Sequence, residues 1–586
     1  MKELLKLKKY VKRYRWAILG GLLALIAIDL LQLAIPRILK LVVDHLAAGN
    51  ATAAHLARYG LWLVGIALAI GFGRFFWRFL IIGSARRVER ELRADLYRHL
   101  TTLDIAYFDE TKTGDLMAHA TNDINAVRMS LGFGLVIITD IVILGLTSLF
   151  MLFGISPRLT LIVLIPLPAL SALIALFGQM IRKKFEVVQK SFADLTELVR
   201  ENISGIRVVK LYVQEGAEND RFGVSSRDYL KKNMGLVRIW GSFFPMIMVI
   251  ATLSQGICFW SGGRMVVFGA ISIGDYVAFS AYLGILIWPM IAIGQAINVF
   301  QRGAASQGRI NRILETRPQI TDAPATAGAS AFAEINRGVE FKNITCYHQG
   351  KTVPALADVS FKLESRQMLG VTGAIGSGKS TLVNVLLRLY ETQQGEIQID
   401  GRNVREYSLG ALRSNAAYVP QDSFLFSDTL AENISFGRPG MINDQDALER
   451  VCRLASVHDE IMAFPRRYQT IVGERGVTLS GGQKQRVALA RALLLEKPIL
   501  ILDDSLSAVD ADTERRILSN IRSELDCRTA IVISHRIFAI QDADLIIVLD
   551  QGRIVERGRH ESLLAKKGKY HEMFTLQQLE QQIAKT

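Results

Sequence analysis

Six long apolar stretches in the first half of the chain constrain its fold more than any other feature. They cover residues 16–36, 58–82, 132–153, 158–180, 243–268 and 272–297. Each has about 20 residues or more, the length that an α-helix needs to cross the ~30 Å hydrocarbon core of a bilayer. The sequence therefore predicts a membrane domain of six transmembrane helices over residues 16–315.

The distribution of Lys and Arg predicts how these helices are oriented. The first 15 residues and the loops near 83–131 and 181–242 are basic, whereas the short loops hold few basic residues, such as Arg158 and Arg264. By the positive-inside rule, the N-terminus, both long loops and the C-terminal half are cytosolic in a multi-pass protein of the cell membrane. We expect residues 1–15 to form a basic amphipathic helix on the lipids of the inner leaflet, retained rather than cleaved as a signal peptide.

The composition excludes several other classes of protein. Half of the 586 residues are hydrophobic and 21% are charged, which disfavours a disordered chain, a coiled coil and a wholly soluble protein. The basic cytosolic membrane face explains the formal charge of +14, so we expect no nucleic-acid partner. The four cysteines lack CxxC spacing, which predicts a reducing environment and no cysteine-based metal site.

The two long cytosolic loops are predicted to continue the transmembrane helices beyond the bilayer. The segments 85–103 and 185–209 have helical periodicity, and each loop then turns at a polar stretch, at 111–115 and 214–218. Further along, residues 316–336 are rich in Pro, Ala and Thr, which predicts a linker.

After the linker, short β-branched runs alternate with helical segments. This alternation predicts a cytosolic α/β domain with a largely parallel sheet over residues 337–586. The predicted strands are Met368–Thr372, Ala416–Val419, Ile499–Leu502, Ala530–Ile533 and Leu545–Leu549.

A glycine-rich loop between a strand and a helix predicts a nucleotide phosphate site. Residues 373–380 match the pattern G-x-x-x-x-G-K-S. In this pattern, backbone N–H groups surround the β-phosphate, Lys379 places its charge between the β- and γ-phosphates, and the Ser380 hydroxyl binds Mg²⁺. The residues expected to bind ATP here are Gly373, Ala374, Gly376, Ser377, Gly378, Lys379, Ser380 and Thr381.

A second nucleotide motif is the apolar run Ile499–Asp503, in which Asp503 would hold Mg²⁺ through water. It follows the phosphate loop by about 125 residues and the sequence LSGGQ at 479–483 by about 20.

These motifs together resemble those of the ATP-binding cassette (ABC) exporters over nearly the whole chain. The matching residues are the phosphate loop, Gln421 within YVPQD at 418–422, LSGGQ, Asp503, Ser507–Asp510 and His535. The resemblance implies six membrane helices fused to one nucleotide-binding domain, working as a dimer. In the family, each of two ATP molecules lies between the phosphate loop of one chain and the LSGGQ of the other.

The resemblance also implies roles for the remaining motif residues. Gln421 would sense Mg²⁺ and the attacking water, and His535 would contact the γ-phosphate. An aromatic near position 347 stacks on adenine in the family; by register His348 lies at that place here, next to Tyr347. The residues that would act across the dimer are Ser480, Gly481, Gly482 and Gln483, which face the partner's γ-phosphate, and Asp510.

Three further segments gain a meaning from the same resemblance. The polar turns at 111–115 and 214–218 would be coupling helices that pass nucleotide-domain motion to the membrane helices. The segment 472–476, just ahead of LSGGQ, is similar to the exporter-specific segment that touches those helices, which favours an exporter over an importer.

Asp504 departs from the family pattern, because most members have Glu at this place, where it polarises the attacking water. The Asp side chain is shorter by one methylene, so its carboxylate falls short by ~1.5 Å, and a misplacement of about 1 Å costs on the order of 10²-fold in rate. The chain therefore resembles one half of a bacterial heterodimeric multidrug exporter, contributing Asp504 to a degenerate ATP site and LSGGQ to a competent one. The partner chain would supply the Glu. The alternative is that Asp504 still polarises the attacking water, acting on it through an intervening water molecule.

Four charged residues lie within the apolar stretches, where charge is costly and marks candidate functional residues. They are Asp29, Arg74, Arg78 and Asp140. Arg74 and Arg78 share a helix face, at the depth of Asp140. Either they form a structural ion pair or they act in substrate binding or gating, and Asp29 could equally face water on the lumenal side. The last two stretches also hold side chains that suit either a cavity for apolar molecules or packing: Phe243, Phe244, Met246, Met248, Trp260, Trp288 and Met290.

Three functions are compatible with the sequence. The leading one is ATP-driven export of hydrophobic or amphipathic compounds by an ABC-type ATPase, as one half of a heterodimer. The second is a homodimeric lipid flippase or peptide exporter. The third is an ATP-gated channel or regulatory membrane subunit, which the complete LSGGQ and His535 disfavour and Asp504 keeps open.

Overall fold

The computed structural model describes residues 2–322, 338–473, 476, 479–526 and 528–583. The chain divides into two compact units. The first comprises Met1–Thr101 and Thr113–Thr316, and the second comprises Thr102–Lys112 and Arg317–Thr586. Most of the predicted linker, two residues of the segment 472–476 and Cys527 lie outside the described residues.

Up to Thr316 the described chain is helical. The α-helices are α1 (Lys8–Arg13), α2 (Arg15–Ala47), α3 (Ala53–Trp77), α4 (Gly83–Leu100), α5 (Ile105–Glu110), α6 (Thr113–Ala118), α7 (Ile124–Leu131), α8 (Phe133–Asp140), α9 (Leu146–Ile155), α10 (Pro157–Leu164), α11 (Leu167–Ser204), α12 (Ile206–Leu211), α13 (Glu215–Val267) and α14 (Ile273–Glu315). A 3₁₀ helix covers Lys2–Leu7, and π-helical segments cover Arg78–Ile82, His119–Asp123 and Ile141–Gly145.

Five helical runs among the described residues are long and apolar enough to cross a membrane. They are Arg15–Ala47, Ala53–Leu100, Thr113–Ile155, Glu215–Val267 and Ile273–Glu315. The first, second and third predicted stretches lie within them, and the fifth and sixth do so except for Phe268 and Ser272. The fourth stretch, 158–180, lies on α10 and α11, where several side chains are outside the description. The runs have 33 to 53 residues, more than a bilayer requires, so these helices continue past the apolar stretches as expected.

The first long loop differs from its prediction. The chain turns earlier, at Thr101–Asp104, and α5 precedes the predicted turn at 111–115, of which the last three residues already belong to α6. Asp104 explains the earlier turn, because its carboxylate accepts backbone N–H bonds from Gln319 and Ile320 and thereby holds the start of α5 in the second unit.

The second unit contains two sheets. The strands are β1 (Val339–Cys346), β2 (Leu356–Leu363), β3 (Met368–Gly373), β4 (Gln394–Ile399), β5 (Arg402–Asn403), β6 (Ala416–Val419), β7 (Ile499–Asp503), β8 (Thr529–Ile533), β9 (Leu545–Asp550) and β10 (Arg553–Gly558). One sheet has the order β10-β9-β3-β8-β7-β6, and the other has the order β2-β1-β4-β5. The five predicted strands are β3, β6, β7, β8 and β9, which pair in parallel and confirm the predicted α/β class.

The antiparallel sheet of β1, β2, β4 and β5 was not predicted. Its pattern is interrupted, because Asn343 adopts a left-handed φ of 51° and the β1–β2 register shifts on both sides of Ile344. Such bulges break the period-2 alternation by which a half-buried strand is identified.

Helices of the second unit beyond α5 connect and flank these strands. They are α15 (Lys379–Leu386), α16 (Leu409–Ser414), α17 (Leu430–Ser435), α18 (Gln445–Leu454), α19 (His458–Ala463), α20 (Gly481–Leu494), α21 (Ala511–Asp526), α22 (His560–Ala565) and α23 (Lys569–Ile583). All residues of β7 and β8 are buried, as expected of parallel strands covered on both faces. Ile533 pairs with both Val371 and Asp503, so the carboxyl ends of β3, β7 and β8 lie at one sheet edge.

Candidate functional site

The phosphate loop runs from the end of β3 to the start of α15 at this sheet edge. Its path requires glycine at two points. A Cβ at Gly373 would lie 2.0 Å from the Leu549 carbonyl oxygen, and a Cβ at Gly378 would lie 2.3 Å from the Ala355 carbonyl oxygen. Gly378 also has a φ of 101° where it precedes α15. Only glycine tolerates both the conformation and the close approach.

Lys379 is folded back onto this loop. Its Nζ donates hydrogen bonds to the carbonyl oxygens of Gly373 at 2.9 Å and Ala374 at 2.8 Å. The side chain is buried, and desolvation lowers the pKa of its ammonium. The loop therefore positions a cation beside the N-terminus of α15, where backbone N–H groups favour an anion.

Asp503 lies at the end of β7, next to the phosphate loop. The Ser380 hydroxyl donates to Asp503 Oδ1 at 3.1 Å, and the Tyr418 phenol donates to Oδ2 at 3.3 Å. Burial raises the pKa of the Asp503 carboxyl. The described residues contain no group of three or more His, Cys, Asp or Glu side chains arranged for a metal. One carboxylate and one hydroxyl nevertheless suit Mg²⁺, which takes its other ligands from water and nucleotide phosphates.

A cleft of about 490 Å³ gathers most of the residues predicted from the sequence. Those among its lining residues are His348, Gly376, Ser377, Gly378, Lys379, Ser380, Thr381, Gln421, Asp503, Asp504 and His535. Ala355, Ile375 and Ile533 complete the lining and were not among the predicted site residues, although Ile375 lies within the phosphate loop and Ile533 ends a predicted strand. Burial lowers the pKa of His535. The cleft thus brings together titratable groups and the groups that the sequence predicts to bind phosphate and Mg²⁺.

His348, rather than Tyr347, lies at the cleft. His348 Nε2 is 3.1 Å from Thr381 Oγ1, and its ring meets that of Tyr390 edge to face at 5.0 Å. Tyr347 is absent from the lining, and its backbone N–H donates to Gln393. The imidazole is therefore the aromatic group that borders the phosphate loop.

Asp504 is held by its backbone. Its φ is +46°, its N–H donates to the Ile533 carbonyl at 2.9 Å, and its carbonyl accepts from the Ser507 hydroxyl at 2.9 Å. The side chain lines the cleft and also a cavity of about 10 Å³ beside Glu514 and Arg536. That volume is at the lower limit for one water molecule.

The LSGGQ segment begins α20 and stays outside this cleft. Ser480 caps the helix, accepting from the Gln483 N–H at 3.2 Å, while Gln483 Oε1 accepts from the Ser480 N–H at 2.9 Å. Ser480, Gly481 and Asp510 are exposed, and Gly482 packs against Ala508. Among the described residues that line the cleft, none belongs to LSGGQ. The exposed N-terminus of α20 is thus free to face a ligand held elsewhere.

Two tyrosines near the cleft were missed as site residues. Tyr418 binds Asp503, and Tyr390 bridges His348 and Asp109, to which its phenol donates at 2.6 Å. Tyr418 is the first residue of YVPQD, in which the resemblance gives a role to Gln421 alone, and Tyr390 lies beyond the end of α15. The sequence therefore marked neither of them as a site residue. Their roles arise from tertiary pairing alone.

The four charged residues of the apolar stretches line one cavity of about 530 Å³ in the first unit. The structural ion pair considered above is not formed: the described residues show no ion pair from Asp29 or Asp140 to Arg74 or Arg78. Of the aromatic and methionine side chains named for the last two stretches, only Trp288 is among the lining residues. Phe243 and Met290 instead pack against the core of the membrane helices.

Comparison with known proteins covers both units. Residues 18–290 match the ABC transporter transmembrane region, and residues 356–507 match the ABC transporter family. The chain is 38% identical over 582 residues to the multidrug resistance-like ATP-binding protein MdlA of Escherichia coli, covering 99% of this chain and 97% of that protein. It is 39% identical over 578 residues to the probable multidrug resistance ABC transporter YheI of Bacillus subtilis, covering 98% and 96%.

Two further similarities bear on the function. The chain is 31% identical over 569 residues to an ATP-dependent lipid A-core flippase of Haemophilus influenzae, covering 97% of this chain and 96% of that protein. The fold is similar to the structure of a bacterial Atm1-family ABC exporter with ATP bound, with a TM-score of 0.77 and 27% identity over 96% of this chain and 98% of that one.

Proposed function

This chain belongs to the ABC transporter family, as an ATP-hydrolysing exporter with fused membrane and ATP-binding domains, and on that premise we propose that it exports hydrophobic and amphipathic compounds as one half of a heterodimer. The multidrug names of the MdlA and YheI relatives support the class of cargo. The observation on which the heterodimer rests is Asp504, which lines the nucleotide cleft where the family pattern has Glu.

In this proposal the cleft binds Mg-ATP. Lys379 and the phosphate-loop N–H groups hold the phosphates, and the Ser380 hydroxyl and Asp503 hold Mg²⁺, whose charge neutralises the phosphate oxygens. His348 borders the adenine, and Gln421 and His535 face the γ-phosphate and the water. Their common place in the lining of one cleft supports these roles.

A second chain completes each ATP site. Support comes from Ser480 and Asp510, which are exposed and outside their own chain's cleft. The turn between α12 and α13 supports the same conclusion, because Leu211, Tyr212 and Val213 are 79%, 71% and 78% exposed at its tip. Contiguous exposed apolar side chains of this kind mark a protein interface.

The two ATP sites of the pair would then differ. This chain's cleft, with Asp504, pairs with the partner's LSGGQ segment and hydrolyses ATP slowly. The partner's cleft, with Glu after the aspartate that corresponds to Asp503, pairs with this chain's LSGGQ and hydrolyses ATP. The exporter lies in the cell membrane with its N-terminus and ATP-binding domain in the cytosol, which the basic loops support.

A homodimeric lipid flippase is the second candidate, and the similarity to the lipid A-core flippase supports it. In that case both sites contain Asp504, and the intervening water molecule is the route to hydrolysis. The cavity of about 10 Å³ that Asp504 lines favours this possibility, because its volume is at the lower limit for one water molecule.

ATPase activity distinguishes the two candidates. The chain is purified alone and with candidate half-transporters, each as the natural sequence and as Asp504→Glu. The heterodimer predicts a lone chain that is nearly inactive and a pair that is active through the partner's Glu. An active lone chain that transports lipid, with a turnover that Asp504→Glu leaves nearly unchanged, would refute the heterodimer. Transport into vesicles, with and without hydrolysable ATP, separates either exporter from a channel.

A further inference from the structure

Two carboxylates line the cavity of about 530 Å³ among the membrane helices, and one oxygen of each is buried without a hydrogen-bond partner in the described chain. Asp29, on α2, is 3% exposed, and its Oδ2 atom is buried without a hydrogen-bond partner in the described chain. The Oδ1 atom of Asp140, at the end of α8, is also buried without a hydrogen-bond partner in the described chain. A carboxylate oxygen in such a place is costly unless it meets a donor or a cation.

The two carboxylates lie close enough to interact electrostatically with each other, and Arg74 interacts with both. Neither carboxylate forms a hydrogen bond or ion pair with Arg74 among the described residues, and the Arg78 guanidinium lies over the Trp77 ring at 5.5 Å. Asp29 is therefore the buried charged group of the lining, Asp140 is half-buried, and the two arginines are exposed.

The helices around the cavity are irregular at these residues. One π-helical segment begins at Arg78, and another begins directly after Asp140. Single π turns inside α-helices recur at functional sites, because they re-aim side chains at the cost of regular hydrogen bonding. Trp288 on α14 also lines the cavity and is 49% exposed, so an aromatic face is available there.

We propose that Asp29 and Asp140 make this cavity selective for amphipathic cations. The cation lies against the two carboxylates, and its apolar body packs against Trp77, Trp288 and the aliphatic lining. Attraction between a cation and an indole face adds to the charge pairing. The inference deepens the proposed export function and rests on it only for the transport step, since binding itself needs no nucleotide.

Two nearly isosteric probes of opposite charge test this selectivity. Equilibrium binding of tetraphenylphosphonium and of tetraphenylborate is measured on the full chain in phosphatidylcholine nanodiscs without ATP, with empty nanodiscs subtracted. We expect tetraphenylphosphonium to bind, and Asp29→Asn or Asp140→Asn to weaken it by about tenfold or more, because each removes a buried charge partner. Tetraphenylborate should bind more weakly and gain from the same substitutions.

Two glycine variants test the place of binding without touching any charge. Gly284 lines the cavity, and a Cβ there would meet nothing within 4 Å, so Gly284→Leu narrows the cavity and should weaken tetraphenylphosphonium binding by about tenfold or more. Gly256 on α13 is equally open but outside the lining, so Gly256→Leu should bind as the natural chain does. If an Asp variant fails to fold, these two glycine variants still show whether tetraphenylphosphonium binds in this cavity.

Several results would overturn the proposal. They are tetraphenylphosphonium binding that survives Asp29→Asn and Asp140→Asn, binding that survives Gly284→Leu, or tetraphenylborate binding that is tighter and lost in Arg74→Gln. The proposed export function fails separately. A chain that binds the cation as expected but transports nothing with ATP refutes export and leaves cation selectivity standing.

Discussion

The Tyr390 phenol donates a hydrogen bond to the Asp109 carboxylate at 2.6 Å, while its ring meets His348 edge to face at 5.0 Å. Asp109 belongs to α5, the short helix of the loop between the second and third apolar stretches. His348 borders the nucleotide cleft. One side chain therefore touches both a cleft residue and the loop to which the family resemblance gives a coupling role. Burial and the Asp109 carboxylate raise the pKa of Tyr390, so the phenol stays protonated and donates at physiological pH.

Tyr390→Phe should uncouple ATP hydrolysis from transport. The ring and its contact with His348 remain, so ATP affinity should change less than about twofold. The lost bond to a carboxylate is worth about 1–3 kcal/mol, less at this exposed position. We expect the ratio of substrate transported to ATP hydrolysed to fall severalfold in vesicles. Tyr407→Phe, which removes a phenol bond to the Ile399 carbonyl in the same unit, is the matched control. An unchanged ratio in Tyr390→Phe would exclude a coupling role.

A comparison of Gly376 and Gly378 separates two reasons for glycine in the phosphate loop: a left-handed backbone conformation and a neighbouring atom that leaves no room for a Cβ. Both have positive φ, 78° and 101°, but a Cβ meets nothing within 4 Å at Gly376 and lies 2.3 Å from the Ala355 carbonyl oxygen at Gly378. Gly376→Ala should cost about 1 kcal/mol of folding free energy and retain ATP binding. Gly378→Ala must move the loop or β2 and should reduce ATP affinity by tenfold or more. Similar affinities in the two variants, by fluorescent-nucleotide titration, would contradict this.

Much of the fold was predictable because the strongest signals are local. Stretches of about 20 apolar residues identify the membrane helices, and the parallel strands appear as short β-branched runs because both of their faces are buried. The antiparallel sheet was not predicted because the bulges around Ile344 break the alternation of buried and exposed residues in β1. The position of α5 was not predicted because it depends on Asp104 accepting bonds from residues more than 200 positions away.

The site was predictable where a motif fixes backbone geometry. The phosphate loop and Asp503 are consecutive in sequence with the strands that position them, and the cleft contains them. Tyr390 and Tyr418 were not predictable, since each acts through a side chain that tertiary structure brings to it. The membrane charges illustrate a third case. The sequence located all four residues, but only the structure shows that they share a cavity without pairing.

Tyr212 tests the proposed contact with a second chain. It is 71% exposed at the turn between α12 and α13, and Tyr97 on α4 is exposed to the same extent. Tyr212→Glu places a charge in the proposed interface. It should lower the ATPase activity of the pair with the partner chain about tenfold without changing the thermal midpoint of the purified chain itself. Tyr97→Glu is the control and should keep its activity. Equal effects of the two substitutions would show that the tip has no special role.

Asp504→Asn provides the sharpest comparison of the two ATP sites. Removing the charge keeps the shape of the side chain, and Asn tolerates the left-handed φ of +46° as well as Asp does. If Asp504 belongs to a degenerate site, turnover of the heterodimer should change by less than about twofold, because hydrolysis takes place at the partner's Glu. Changing that Glu to Gln in the partner should then reduce turnover by on the order of 10²-fold or more. A large loss from Asp504→Asn would instead make Asp504 the group that activates water, and each cleft of the dimer would hydrolyse ATP.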